Sequence, residues 1–190
     1  MTGDIHTILV VCSANQCRSP LAAACLTRIF ATRGLDIAVT SAGVNASTGS
    51  SATSGTVRTA KDLGLDLAEH RSQPTTRELL AGADLILGME RLHLREAVVL
   101  ERQAFPRSFT LKELVRRGEE LGPRRPGETQ ADWLAAAHRD RQPADLFGAS
   151  RDDDIADPTT DMTVDHDTMA QEVAELVQRL VGLLWPVGVD

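Results

Sequence analysis

The sequence predicts an α/β fold: three α/β/α layers around a four-stranded parallel sheet. Three observations predict it. Ile8-Leu9-Val10-Val11 and Leu85-Ile86-Leu87 are short, wholly apolar runs that suit strands buried on both faces. Each is followed by a stretch with apolar residues at helical spacing, and strand–helix alternation implies parallel pairing. The chain then closes on a long amphipathic pattern, with Met169, Val173, Leu176, Val177, Leu180 and Leu184 on one face.

The elements follow in order. After the first strand comes a polar loop and then Ser19-Pro20, read as an N-cap serine with proline at the first helical position. Leu21, Ala22, Cys25, Leu26 and Ile29 continue that helix, and Gly34 ends it. Ile37 to Thr40 reads as a second strand, closed by Ser41-Ala42-Gly43. Asn45 to Gly55 is a Ser/Thr/Ala/Gly-rich loop, and Val57 to Leu63 is helical up to Gly64. Thr75-Thr76-Arg77-Glu78 reads as a capping box opening a short helix. A helix over Arg91 to Leu100 follows the third strand. Ser108 to Leu111 is the fourth strand, with Lys112 to Glu120 helical after it. Pro123, Pro126, Gly127, Pro143 and Gly148 interrupt the pattern beyond, leaving one helix near Ala131 to Arg139.

The chain has 190 residues, 42% hydrophobic and 25% charged, with a net charge of −7. That length and composition fit one soluble domain, 1–190, with a weakly patterned stretch at about 101–152. The acidic balance and the absence of a basic stripe disfavour nucleic acid. No run approaches the roughly 20 apolar residues of a membrane span, and the first residues lack the pattern of a signal peptide. The three cysteines, Cys12, Cys17 and Cys25, are an odd count clustered near the start, which suits a reducing compartment. The expected location is the cytoplasm.

The chemistry concentrates between the first strand and first helix, in Cys12-Ser13-Ala14-Asn15-Gln16-Cys17-Arg18-Ser19. Such a C-x5-R loop can curl around a tetrahedral phosphate with its N–H groups inward. The following helix adds the positive end of its dipole. Arg18 then supplies a planar fork for two phosphate oxygens. Cys12 would sit below the phosphorus, in positive surroundings that favour a thiolate nucleophile. Ser19 can donate to that sulfur and help it leave. Without the helix and strand in register the motif is common; with them it points to phosphoryl transfer. The competing reading makes Cys12 a strand-end core residue and Arg18 a surface charge.

Val10-Val11-Cys12 through Ser19-Pro20 resembles the N-terminal signature of the low-molecular-weight protein tyrosine phosphatases. Ser41-Ala42-Gly43 resembles that family's second signature. Gly64 to Arg71 and Ala83 to Leu94 resemble the stretches that follow, and Ile155-Ala156-Asp157-Pro158 resembles its acid loop. The resemblance covers about half the chain and fails over Asn45 to Ala52 and Glu101 to Arg151. It implies phosphomonoester hydrolysis through a cysteinyl-phosphate, with Asp157 as general acid and base and with no metal or cofactor. It also implies a network of Asn15, Ser19, Ser41 and His70 that fixes the loop, with Asn15 in a left-handed conformation. Asp152, Asp153 and Asp154 compete with Asp157 on composition alone and read as a solvated acidic loop. His6, His93, His138 and His166 are given no role. Cys17 is a candidate redox partner for Cys12, or a small buried residue; Cys25 reads as core. The implied partners are a phosphorylated protein and, as a candidate, a bacterial tyrosine kinase.

Other readings use parts of the same pattern. They are arsenate reduction coupled to thioredoxin, which usually recruits a later cysteine that this chain lacks, a non-catalytic phosphate-binding module, and a thiol redox protein using Cys12 and Cys17. Hydrolysis of arginine phosphate is a further one, raised by the substrate wall. Tyrosine-specific members carry an aromatic after Asp-Pro, where this chain has Thr159 and Thr160, and Val44 to Gly49 has none either. Gln16 stands where tyrosine-specific members carry an aliphatic residue and arginine-phosphate-specific relatives a threonine. The sequence therefore predicts a weak or altered preference for phosphotyrosine. Trp133 and Phe147 are candidates to replace the wall; the competing reading packs both in the core.

Overall fold

The computed structural model describes residues 3–188. Its strands are β1 (Thr7–Cys12), β2 (Ala38–Gly43), β3 (Leu85–Gly88) and β4 (Ser108–Thr110). Its helices are α1 (Arg18–Arg33), α2 (Ser54–Asp62), α3 (Arg77–Gly82), α4 (Arg91–Leu100), α5 (Leu111–Leu121), α6 (Gln130–His138) and α7 (His166–Leu184), with 3-10 turns at Arg102–Arg107 and Pro143–Leu146. The sheet is wholly parallel in the order β2-β1-β3-β4.

Side-chain alternation along the strands divides the core into the two expected layers. Ile8, Val10 and Cys12 of β1, Leu85 and Leu87 of β3, and Phe109 of β4 face one side. There they meet Leu21, Leu26 and Phe30 of α1, Leu114 and Val115 of α5, and the apolar face of α7. Leu9, Val11 and Ile86 face the other side, against Leu80 of α3 and Leu94 and Ala97 of α4. The chain leaves β1 for β2 on one side and later returns to β3 on the other. Ligands in open α/β sheets bind at the C-terminal ends of strands where the order reverses in this way. Here that point is Cys12. Among the described residues no helix is long and apolar enough to cross a membrane.

The boundaries differ from the expected ones where tertiary contacts compete with local signals. Ser19 is not an N-cap: α1 begins at Arg18 with Cys17 as N-cap, and no side chain caps it. The Ser19 hydroxyl is used instead by Cys12 and Asn15. The capping box expected at Thr75 does not form: Thr76 is the N-cap and accepts from the Leu79 N–H, and the apolar Leu79 side chain cannot return a bond. Ser41-Ala42-Gly43 forms the last part of β2 and does not close it.

The weakly patterned stretch is tied in by a buried ion pair and an aromatic. Arg141 is bidentate to Glu113 of α5 at 2.7 and 3.1 Å, donates to the Ser108 carbonyl at 2.7 Å, and lies over the Phe109 ring at 4.1 Å. Trp133 of α6 is only 2% exposed and donates to the Gly122 carbonyl at 3.0 Å. A Cβ on Gly118 would sit 2.7 Å from that indole, so the helices approach closely here. Trp133 therefore packs in the core and supplies no cleft wall. Phe147 is 67% exposed and so is not core, and among the described residues its ring stacks on no other. Trp133→Ala should destabilise the fold by about 3–5 kcal/mol while leaving kcat/KM of the folded fraction unchanged. Chemical denaturation read beside activity checks this; a kinetic loss without a stability loss would return Trp133 to the cleft.

Candidate active site

The loop from Cys12 to Arg18 is turned inside out by its neighbours. The Cys12 carbonyl accepts from Val44 N at 2.9 Å and that of Ser13 from Asn45 N at 2.9 Å. The Asn15 carbonyl accepts from His70 Nε2 at 2.7 Å, and that of Gln16 from Thr53 N at 3.0 Å. With its carbonyls taken from outside, the loop presents its amides inward. Among the described residues none of the N–H groups of Ser13 to Cys17 donates to a protein acceptor. The α1 N-terminus, which has neither a side-chain cap nor an acidic residue in its first turn, opens onto the same space. Unpaired amides at a helix N-terminus form an anion site.

Two backbone features allow this curl. Asn15 has φ 55°, the left-handed region in which asparagine is tolerated. Its side chain fixes the turn: Nδ2 donates to Ser19 Oγ at 3.0 Å and Ser41 Oγ at 2.9 Å, and Oδ1 accepts from Gln73 N at 3.0 Å. Gly43, at the end of β2, lets the loop lie against the sheet. A Cβ there would come within 2.5 Å of the Ser13 carbonyl oxygen and 2.8 Å of Asn15 N.

Cys12 is buried with its Sγ 3.0 Å from Ser19 Oγ. Asn15 donates to that hydroxyl oxygen, so the Ser19 proton has two acceptors within reach, the sulfur and the Ala42 carbonyl at 3.3 Å. Arg18 is buried at 1% exposure. Its Nη1 pairs with Glu90 and donates to the Ile155 carbonyl at 2.9 Å; its Nη2 pairs with Asp157 Oδ2 at 2.6 Å. Among the described residues its buried Nε has no partner. A guanidinium with one idle N–H beside a loop of unpaired amides suits the oxygens of a phosphate.

Asp157 thus meets Arg18 at the far end of the loop that Cys12 begins. Burial works to raise the Asp157 pKa, but the Thr159 hydroxyl at 2.6 Å and the Arg18 charge prevail and hold it below the usual carboxylate range. The neighbouring acidic run is exposed to solvent at Asp152 alone. Asp153 is buried and pairs with Arg91 at 2.6 Å and Arg116 at 2.9 Å. Asp154 accepts from the N–H groups of Arg91 and Ser150, both at 2.7 Å. Two of the three residues therefore pin the acid loop to α4 and α5. Ser41 and His70 both reach Asn15, as the network required.

Sequence reasoning missed two residues here. Glu90, in the loop between β3 and α4, neutralises Arg18. His93, given no role, is fully buried with Nε2 2.9 Å from Ser13 Oγ and Nδ1 accepting from Glu90 N at 2.9 Å. The Glu90-x-x-His93 spacing at a helix start was the available signal, since side chains three apart there cap each other. Cys17 is free and buried, and receives the Thr56 hydroxyl at 3.0 Å. Burial pushes its thiol up to about 11. Cys25 is buried on α1, as expected. Ala14, Thr159 and Thr160 are exposed and Gln16 is half-buried.

The sequence profile of the low molecular weight phosphotyrosine protein phosphatases matches residues 7–131. The chain belongs to this family. It is accordingly a phosphoric monoester hydrolase, a protein phosphatase with its phosphate loop between β1 and α1. A protein-arginine-phosphatase of Bacillus subtilis is 39% identical over 108 residues, which are 57% of this chain and 71% of that one. The low molecular weight protein-tyrosine-phosphatase Wzb of Escherichia coli is 37% identical over 89 residues, 47% of this chain and 58% of that one. The crystal structure of a low molecular weight protein tyrosine phosphatase from T. tengcongensis superposes with a TM-score of 0.68 at 28% identity, covering 92% of this chain and 97% of that one. Gly43→Ala tests the loop geometry of this phosphatase. Displacing the loop by about 1 Å should lower kcat/KM roughly 100-fold with a smaller loss of stability; unchanged kinetics would mean that the close approach is dispensable.

Proposed function

We propose that this phosphatase dephosphorylates proteins through a phosphocysteine intermediate on Cys12, with Asp157 as general acid and then base. One observation carries the reading: among the described residues the N–H groups of Ser13 to Cys17 and the buried Arg18 Nε all lack a protein acceptor, which leaves a space for an anion in the loop that begins at Cys12. A phosphoryl group in that space would take the Arg18 edge that Asp157 now holds. The Cys12 thiolate would attack phosphorus as the P–O bond to the leaving group breaks. The electron pair would go to that oxygen, which would take the Asp157 proton. Water would then attack the phosphocysteine and give a proton to Asp157. The S–P bond would break and the sulfur would leave as a thiolate hydrogen-bonded to Ser19.

The Arg18–Asp157 pair bears on the acid's readiness. In the free enzyme Arg18 holds Asp157 ionised. A bound dianion would compete for Arg18 and place negative charge beside the carboxylate, which favours its protonation. Asp157 would thus become an acid when a substrate is present. The residue lies in the acid loop, where Pro158 and the Thr159 hydrogen bonds restrict its movement.

We take phosphotyrosine as the first substrate class, from the family and from the activity named for the Escherichia coli relative, but with a weak preference. Thr159 is exposed and its hydroxyl is engaged by Asp157, so this position supplies no ring beside the acid. The same absence, with Gln16 in the loop and the Bacillus relative named as an arginine phosphatase, favours arginine phosphate as a second reading. Three free thiols support a reducing location such as the cytoplasm. A phosphorylated protein, with a bacterial tyrosine kinase among the candidates, is the partner that this activity needs. A redox role for Cys17 would be slow, because its raised pKa leaves little thiolate to attack an oxidised Cys12.

Asp157→Ala should lower kcat by about 10²–10⁴-fold for a poor leaving group and much less for a good one. An equal loss with both would remove the acid role, and the same pattern from Asp154→Ala instead would reassign it. Comparing kcat/KM for phosphotyrosine, phosphoserine and phosphoarginine peptides tests the substrate. Thr159→Tyr should improve phosphotyrosine selectively. A wild type that already strongly prefers phosphotyrosine, with no change on substitution, contradicts the missing-wall argument.

A further inference from the structure

The Ser13 side chain has a hydrogen-bond geometry that the mechanism above leaves unused. A backbone N–H can only donate, so the contact between Glu90 N and His93 Nδ1 at 2.9 Å makes Nδ1 an acceptor. The ring proton of neutral His93 is therefore on Nε2. That nitrogen lies 2.9 Å from Ser13 Oγ, so His93 donates to serine and not the reverse. Arg18 Nη2, which also can only donate, reaches the same oxygen at 3.5 Å.

A serine hydroxyl has two acceptor positions and one proton. Both acceptor positions of Ser13 face donors. Its proton must then point away from His93 and Arg18. Ser13 Oγ has no third partner among the described residues, and the residue is only half-buried beside the nucleophile. What the hydroxyl lacks is an acceptor for its own proton, and a phosphoryl oxygen held by the loop is one. We propose that the Ser13 hydroxyl is a directed donor to the phosphoryl group and that His93 is the positioning residue that directs it. The inference rests on the phosphatase reading of the site and adds a side-chain donor to its ring of backbone amides.

The direction is fixed because the imidazole cannot easily take a second proton. A proton on Nδ1 would face the Glu90 N–H. Burial, with the Arg18 charge, pushes the ring down to about 3. Asp157 acts against this but does not prevail. Without His93 the Ser13 hydroxyl could rotate and spend its proton on other acceptors, and the phosphoryl group would lose a contact that is already oriented before it arrives.

The alternative is that His93 merely caps α4 through Nδ1. A double-mutant cycle separates the two. In His93→Asn the Oδ1 atom can still accept from Glu90 N, but nothing occupies the place of Nε2. Ser13→Ala removes the donor itself and lies on a half-exposed loop where it should not disturb folding. Inorganic phosphate affinity is measured by titration calorimetry, and KM and kcat with an aryl phosphate, for the wild type, both single variants and the double variant. Each single variant should weaken phosphate and raise KM by roughly fivefold to thirtyfold, as expected for one hydrogen bond to a charged group. The smaller part of the change should lie in kcat, because the contact holds substrate and transition state alike. His93→Asn should add almost nothing once Ser13 is alanine. The proposal is overturned if Ser13→Ala leaves phosphate affinity intact, if the two effects add, or if His93→Asn acts mainly on kcat. Cys12→Ser in the same titration keeps the premise separate. If wild-type turnover survives that substitution, the covalent phosphatase reading fails, whatever the cycle shows about phosphate.

Discussion

Arg18 is a cation with almost no access to water, and the arrangement of the site follows from what neutralises it. An isolated buried charge costs several kcal/mol, so a guanidinium at 1% exposure has to be surrounded by acceptors. Glu90 from the β3–α4 loop and the Ile155 carbonyl hold one edge permanently. Asp157 holds the other in the absence of phosphate. Burial works against the charge, and the two carboxylates more than offset it. The charge that receives the phosphoryl group therefore also positions the acid that protonates the leaving group. The acid loop docks through Asp153 and Asp154 onto α4 and α5, so Asp157 arrives at Arg18 from a braced segment.

Around this charge the loop is shaped by sources distributed along the chain. Carbonyls are drawn outward by Val44, Asn45, Thr53 and His70, and the curl is pinned at its turn by Asn15 and its partners Ser19, Ser41 and Gln73. The inward amides are thus a product of tertiary structure. They are preorganised, and preorganised dipoles need no rearrangement when charge develops in the transition state. Gly43 shows how little room is left, since a single methyl there would touch three loop atoms.

The legible part of this site is the part encoded locally. Cys12, Arg18 and Ser19 fall within eight residues between a strand and a helix, and strand–helix alternation implies a parallel sheet; that β1 lies where the strand order reverses is a feature of the packed fold. The left-handed conformation of Asn15 was implied by the family resemblance, and the tolerance of asparagine for that region agrees with it. The Asp157-Pro158 pair could be placed only through family resemblance, because nothing local separates it from Asp152, Asp153 and Asp154. Glu90 and His93 were out of reach. Their partners, Arg18 and Ser13, lie 72 and 80 positions away, and a helix-start pattern does not reveal which remote charge it faces. Trp133 was ambiguous for a similar reason, since an aromatic in a weakly patterned stretch serves a core or a cleft equally well until α5 and α6 are packed.

The central claim is that phosphate passes through the Cys12 sulfur. The most direct measurement is a single-turnover reaction of the full chain with an aryl phosphate, quenched at short times and examined by peptide mass spectrometry. The account predicts a phosphorylated intermediate that forms as the aryl alcohol is released, disappears on the timescale of turnover, and carries its phosphate on Cys12. Release of the alcohol and phosphate together, with no phosphoenzyme at any time, or a phosphate on another residue, would contradict it.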